Sequence, residues 1–199
     1  MAKKYYAVRV GKTPGIYLTW DDCKAMVDGY PGAKYKSFSN IAEAEAFLRG
    51  ETLLQIEENN SNAYAFVDGS FNEVSHTYGY GGFLVANGEK HILQGAGADE
   101  EMASMRNVAG EICGSMAAVK KALELKLTQL DMYYDYNGIE MWATGAWKRN
   151  KTGTVAYYDY MQSVKDAIDV RFIKVKGHSG IEGNEEADRL AKEAVGLEE

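Results

Sequence analysis

The sequence predicts an α/β protein in two pieces: a mixed five-stranded sheet flanked by helices, preceded by a small β-β-α-β-α module. Three observations carry this. Short alternating or apolar runs recur between segments of helical period, the pattern of strands and helices built around one sheet. A polar, acidic stretch at 51–62 separates residues 1–50 from residues 63–199 and reads as a short linker. The charge divides at nearly the same place. Residues 1–50 hold eight Lys/Arg against five Asp/Glu, +3, and residues 51–199 hold fourteen against twenty-four, −10. A basic part suits a polyanion, and an acidic part can commit carboxylates to metal ions.

In the first piece, Tyr5 to Val10 alternates as a strand, and Gly11-Lys12-Thr13-Pro14-Gly15 is a turn. Ile16 to Thr19 is the expected return strand. Trp20 to Val27 then forms a helix, with Thr19 or Asp21 available as its N-cap. Gly29-Tyr30-Pro31-Gly32 ends it, Ala33 to Phe38 is a third strand, and Ile41 to Leu48 a second helix. A module this small buries little core, so its aromatic and basic residues point to binding.

The second piece opens with the apolar strand Ala63 to Val67, ending at Asp68-Gly69-Ser70. Thr77 to Val85 and His91 to Gly95 are two more strands, joined by an Asn87-Gly88 turn, a strong hairpin signal. Gly79, Gly81 and Gly82 lie inside a strand pattern with no following Lys-Ser/Thr, so they mark close packing or a bulge rather than a phosphate loop. Ala109 to Leu125 is a long helix with Ile112, Met116, Val119 and Leu123 on one stripe. Leu130 to Tyr134 is the fourth strand, ending at Asp135. Helices over Ile139 to Ala146 and Val155 to Ala167 flank a basic loop, Lys148-Arg149-Asn150-Lys151. Val170 to Val175 is the fifth strand, and a final helix carries Glu185, Glu186 and Asp188.

Several classes are excluded. No run of about 18 apolar residues occurs, so no membrane span is expected. Alternating residues follow the N-terminal Met-Ala-Lys-Lys at once, which is not a secretory signal. Cys23 and Cys113, far apart and without a CxxC or Cys/His cluster, read as small buried residues of a reducing compartment, with the cytoplasm as the expected location.

The chemistry concentrates in acids. Asp68 and Asp135 end the first and fourth strands, Glu111 lies in the first turns of the long helix, and Asp188 near the start of the last. Were the first and fourth strands parallel neighbours, both aspartates would emerge at one edge, where ligands bind in α/β sheets. Four acids there repel one another unless cations intervene, and two Mg²⁺ or Mn²⁺ would turn them into a clamp for in-line displacement at a phosphodiester. His178, on a loop ten positions before Asp188, can move a proton or help a product leave.

With these residues in view, the chain resembles type 1 ribonucleases H that carry an N-terminal hybrid-binding (viroplasmin-like) domain. The carrying motifs are Phe66 to Ser70, Asn107 to Glu111, Tyr134-Asp135, Lys176 to Gly180 and Asn184 to Asp188. The resemblance covers essentially the whole chain, with a ribonuclease H-like sheet as its fold. It implies endonucleolytic cleavage of the RNA strand of RNA/DNA hybrids, leaving 5′-phosphate and 3′-hydroxyl ends. It makes Asp68, Glu111, Asp135 and Asp188 the metal ligands, for two Mg²⁺ with Mn²⁺ as substitute, and gives His178 a part in turnover. Asn107 and Asn184 become nucleic-acid contacts, Asn107 reading 2′-hydroxyls in the wide minor groove.

In the first piece, Tyr5 to Arg9, Gly15 to Trp20 and Tyr35 to Phe38 resemble the family's hybrid-binding domain. Trp20 and Tyr35 match an aromatic pair that stacks on deoxyriboses, Lys36 matches a phosphate contact, and Lys34 adds another. Three departures stand out. Ser37 replaces a second lysine, Val108 replaces one of a polar pair before Glu111, and a long basic handle is missing, with Lys148, Arg149 and Lys151 as its remnant. The expected partner is an RNA/DNA hybrid, with double-stranded RNA as a further ligand of the first piece, and the expected state is a monomer. The alternatives are a non-catalytic hybrid-binding protein and a nuclease of the same superfamily acting on DNA junctions or integration intermediates.

Overall fold

A computed structural model describes residues 4–38, 41, 44, 47–48, 63–177 and 181–197. The proposed linker, most of the second N-terminal helix and His178 lie outside the described residues. The chain divides into two compact units, Met1–Ser61 and Asn62–Glu199.

In the first unit β1 (Tyr5–Val10) is the central strand, antiparallel to β2 (Gly15–Tyr17) on one side and β3 (Lys34–Phe38) on the other. The return strand is shorter than its alternation suggests, because Leu18 and Thr19 leave the ladder to start α1 (Trp20–Val27). Thr19 is the cap: its Oγ1 accepts from the amide of Asp22 at 3.2 Å, satisfying one of the helix's open donors. Asp21 lies inside the first turn instead, where its charge suits the positive helix end. Val8, Cys23 and Val27 form the core, with Tyr6, Tyr17, Met26 and Ala33 packed around them.

The second unit is a five-stranded sheet in the order β6-β5-β4-β7-β8. Its strands are β4 (Tyr64–Asn72), β5 (Thr77–Ala86), β6 (Glu89–Gly97), β7 (Gln129–Tyr134) and β8 (Asp169–Lys174). β4, β5 and β6 form an antiparallel meander, whereas β4, β7 and β8 run parallel, so the sheet is mixed. Asn87 and Gly88 both take positive φ, 53° and 79°, the requirement of the two-residue turn joining β5 to β6.

One boundary expectation is corrected. β4 does not end at Asp68 but continues four residues to Asn72, held by β5 through the pairs Gly69↔Tyr80 to Asn72↔Thr77. Gly69-Ser70 looks like a turn locally, but the neighbouring strand keeps it extended. The parallel ladder to β7 covers only Tyr64 to Phe66, so β4 and β7 part company just before their aspartates.

Helices α2 (Glu100–Ala103), α3 (Asn107–Glu124), α4 (Gly138–Ala143), α5 (Thr152–Val164) and α6 (Glu182–Ala194) complete the unit. The short α2, capped by Asp99, has no counterpart in the sequence expectation. The stripe on α3 faces the core: Ile112 and Val119 are buried beside Val67, Leu84 and Met132, with Met116 and Leu123 packed against them. Tyr157 of α5 is fully buried, and its hydroxyl donates to the carbonyl of Ile139 at 3.2 Å.

α6 takes the opposite face of the sheet, and the glycines of β5 explain how closely it sits. A Cβ on Gly81 would lie 2.0 Å from the backbone nitrogen of Ala191. On the other face, a Cβ on Gly69 would lie 2.2 Å from the carbonyl oxygen of Asn107, and one on Gly110 would lie 1.9 Å from that of Gly79. Both helices therefore rest backbone on backbone against the sheet, and this sets the depth at which Glu111 and Asp188 are carried. Close packing, not phosphate binding, accounts for these glycines.

Candidate active site

Asp68, Glu111 and Asp135 arrive from three elements, β4, α3 and the residue after β7, and offer oxygens that all lie within 4.8 Å of one another. The parallel pairing of β4 with β7 puts the two aspartates at one edge, and the close seat of α3 lowers Glu111 between them. Two of the three are buried, and Asp135 is half-buried. Asp68 is 8 % exposed and Glu111 3 %.

Burial and mutual repulsion act in the same direction on these acids. Burial, then the charge of Asp135, pushes the Asp68 carboxyl up to about 7, although the Gly69 amide donating to its Oδ1 at 2.7 Å works against this. Glu111 is pushed up to about 9, chiefly by burial and then by Asp68 and Asp135. Its Oε2 is buried with no hydrogen-bond partner. An unpartnered oxygen among hard carboxylate donors is what a divalent cation such as Mg²⁺ or Mn²⁺ would satisfy, so these residues fit the expected metal.

Asp188 stands differently. It is carried on α6 and its charge reaches Asp68, yet its Oδ2 accepts from Lys192 Nζ at 2.6 Å. It does not belong to the three-acid group found among the described residues. Asn184, one turn earlier on α6, is 4 % exposed, its Nδ2 lies 3.5 Å from Asp135 Oδ2, and its own Oδ1 is buried without a partner. So placed, Asn184 turns its amide nitrogen to Asp135. Gly177 completes this side: a Cβ there would lie 2.6 Å from Asp135 Oδ2, so a larger residue would push the Asp135 carboxylate aside.

Asn107 is exposed at the first position of α3, where Arg106 adopts a positive φ of 57° to enter the helix. Arg106 is held from outside by an ion pair with Glu73, and its guanidinium lies 5.5 Å from the Phe71 ring. In the loop between α4 and α5, Arg149 lies 4.0 Å over the ring of Tyr158, Trp142 Nε1 donates to the Lys148 carbonyl at 3.2 Å, and Lys151 Nζ reaches Ser104 Oγ at 3.5 Å.

The first unit presents an aromatic surface. Trp20 is 43 % exposed and Tyr35 45 %, with ring centroids 5.8 Å apart. Tyr6 joins the row at 5.9 Å from Trp20, a contact missed in the sequence because its alternation marks it only as a strand residue. Lys34 is exposed and Lys36 half-buried on the same strand as Tyr35, with Lys36 Nζ 5.7 Å from the Phe38 ring. Among the described residues no helix is long and apolar enough to cross a membrane.

Comparison with known proteins gives consistent results for both units. A family profile described as "Ribonuclease H1 N-terminal domain" matches residues 4–48, and one described as "RNase H" matches residues 60–196. The chain is similar to Ribonuclease H1 of Homo sapiens, 28 % identical over 255 aligned positions covering 96 % of this chain and 89 % of the relative. It is also similar to Ribonuclease H of Hydrogenovibrio crunogenus, at 33 % identity over 65 % of this chain and 92 % of the relative. In fold it matches the crystal structure of RNase H1 from Halobacterium salinarum NRC-1, with a TM-score of 0.53 at 22 % identity, over 67 % of this chain and 97 % of that one.

Proposed function

Since the chain belongs to the ribonuclease H family, with a ribonuclease H1 N-terminal domain ahead of the nuclease domain, we propose a two-metal endonuclease that cuts the RNA strand of RNA/DNA hybrids. The cuts leave 5′-phosphate and 3′-hydroxyl ends. One observation carries the reading: three acids from three separate elements meet at one end of the sheet, two of them buried and one with an unpartnered oxygen.

Asp68 and Asp135, with help from Asp188, would hold one Mg²⁺, and Asp68 with Glu111 the other, with Mn²⁺ as substitute. Bound there, the ions supply activation of water and stabilisation of the leaving 3′ oxygen. The protein's part is to fix the acids. Asn184 steadies Asp135 through its amide, and its unpartnered Oδ1 leaves it capacity to accept a further hydrogen bond once substrate is in place. Asn107, exposed at the start of α3, reads 2′-hydroxyls, which only the RNA strand carries. His178 assists turnover by proton transfer.

The first unit supplies grip. Trp20 and Tyr35 offer flat faces to the sugars of the DNA strand, with Lys34 and Lys36 beside them for phosphates. The protein acts as a monomer, and its two unpaired cysteines suit the cytoplasm.

The test is cleavage of one labelled RNA, single-stranded, paired to RNA, paired to DNA, and paired to DNA with chelator. Cutting of the hybrid alone, only with free Mg²⁺ or Mn²⁺, is the expected result. Tight hybrid binding with no cutting under any metal makes the protein a binding module, and cutting of duplex RNA moves the substrate class.

A further inference from the structure

Lys192 sits one helical turn beyond Asp188 on α6, and its ammonium meets Asp188 Oδ2 at 2.6 Å. The ion pair is only partly solvated, with side-chain exposures of 37 % for Lys192 and 23 % for Asp188. The two charges also act on Asp68 in opposite senses, Asp188 raising its proton affinity and Lys192 lowering it, so the ammonium lies within electrostatic reach of the acid cluster. The other three acids have drawn together, while Asp188 is engaged by a cation of the protein's own.

From this geometry we infer that Lys192 is a built-in counter-ion, a positioning residue that occupies Asp188 when no divalent cation is bound and competes with one for that carboxylate. The inference rests on Asp188 being a metal ligand, as proposed above. A lysine suits such a role: its ammonium is a compact charge on a flexible stem, able to leave the carboxylate without disturbing the backbone. The competition raises the divalent concentration at which the fourth ligand engages. It also limits repulsion among the acids while the site waits for metal. Because the pair spans i and i+4 on a single helix, the exchange requires only a change of side-chain rotamer and no motion of α6.

The experiment measures Mn²⁺ binding to the full-length protein without substrate, by electron paramagnetic resonance of the free ion, in a double-mutant cycle of Lys192→Met and Asp188→Asn. Lys192→Met should tighten Mn²⁺ binding about threefold to tenfold, the scale of a partly screened unit charge. Lys192→Arg, which keeps the charge, should restore most of the native affinity. In the Asp188→Asn background, Lys192→Met should have no further effect. An equal gain from Lys192→Met in both backgrounds overturns the competition, leaving only a general field from the ammonium. If Asp188→Asn alone leaves Mn²⁺ affinity unchanged, the ligand assignment itself fails. If it weakens binding while Lys192→Met does nothing, the ligand assignment stands and the counter-ion role is lost. Thermal melts of each variant in chelator verify folding. Lys192→Met should also show a larger gain in melting temperature on adding Mn²⁺ than the native protein.

Discussion

The raised proton affinities of Asp68 and Glu111 have a defined effect on stability. Below about pH 3 both carboxyls are protonated in the folded and unfolded chains alike and impose no penalty. As pH rises, the unfolded chain releases these protons first, so metal-free stability falls, through about 7 for Asp68 and about 9 for Glu111. Melting temperature in chelator should therefore decline from pH 5 to pH 9, and the gain on adding Mg²⁺ should grow over the same range. A flat profile in chelator would mean the acids are better solvated than their burial indicates. Glu111→Gln should raise the metal-free melting temperature at pH 7, because glutamine has no proton for the unfolded chain to release, and should remove most of the Mg²⁺-induced gain. Asp135→Asn should retain folding and hybrid binding and lose cleavage, by at least about 100-fold, and retained activity would remove Asp135 from the ligand set. At this scale the sequence was a good guide to the residues whose chemistry is local. It marked Asp68, Glu111 and Asp135, which do converge, but not the ion pair of Asp188 or the burial of Asn184. Those depend on what lies beside a helix face, which spacing along the chain does not record.

Among elements, the glycines govern how the helices sit. Gly81→Ala places a methyl against the backbone of α6, which has no rotamer with which to yield. Destabilisation of about 3 kcal/mol is expected, at the upper end for overpacking, because backbone must shift. Chemical denaturation measures it, and a loss below about 1 kcal/mol would show that α6 can lift. Activity should fall even where the variant stays folded, since α6 carries Asp188. Strands and helices with clear periodicity were legible: β1, β5, α1 and α3 lie within a residue or two of expectation. β4 was not, past Asp68, because Gly69-Ser70 has local turn chemistry and only the ladder to β5 overrides it. α2 escaped because four residues after an Asp99 cap leave no periodic signal.

For the molecule as a whole, residues 1–50 carry +3 and the remainder −10, a division that favours the N-terminal sheet and its helix for holding a polyanion. Trp20→Ala should weaken hybrid binding by about 1–3 kcal/mol, the worth of one stacking contact, while leaving the cleavage rate at saturating hybrid nearly unchanged. Filter binding and single-turnover cleavage separate the two. Unchanged affinity would make the exposed indole a structural anchor of the small sheet. Replacing Lys34 and Lys36 together by alanine should lower the salt dependence of log K by about one to two, if each neutralises a phosphate.

The seats of α3 and α6 have a mechanical consequence. Where main chain rests on main chain there is little room for a void, and eliminated void volume is what makes hydrostatic pressure unfold a protein. The spacing between the sheet and the two helices that bear Glu111 and Asp188 is thus stiff against compression. Under pressure the acids should keep their separations until the unit unfolds as a whole, and the side-chain-packed interface with α5 should yield before theirs does.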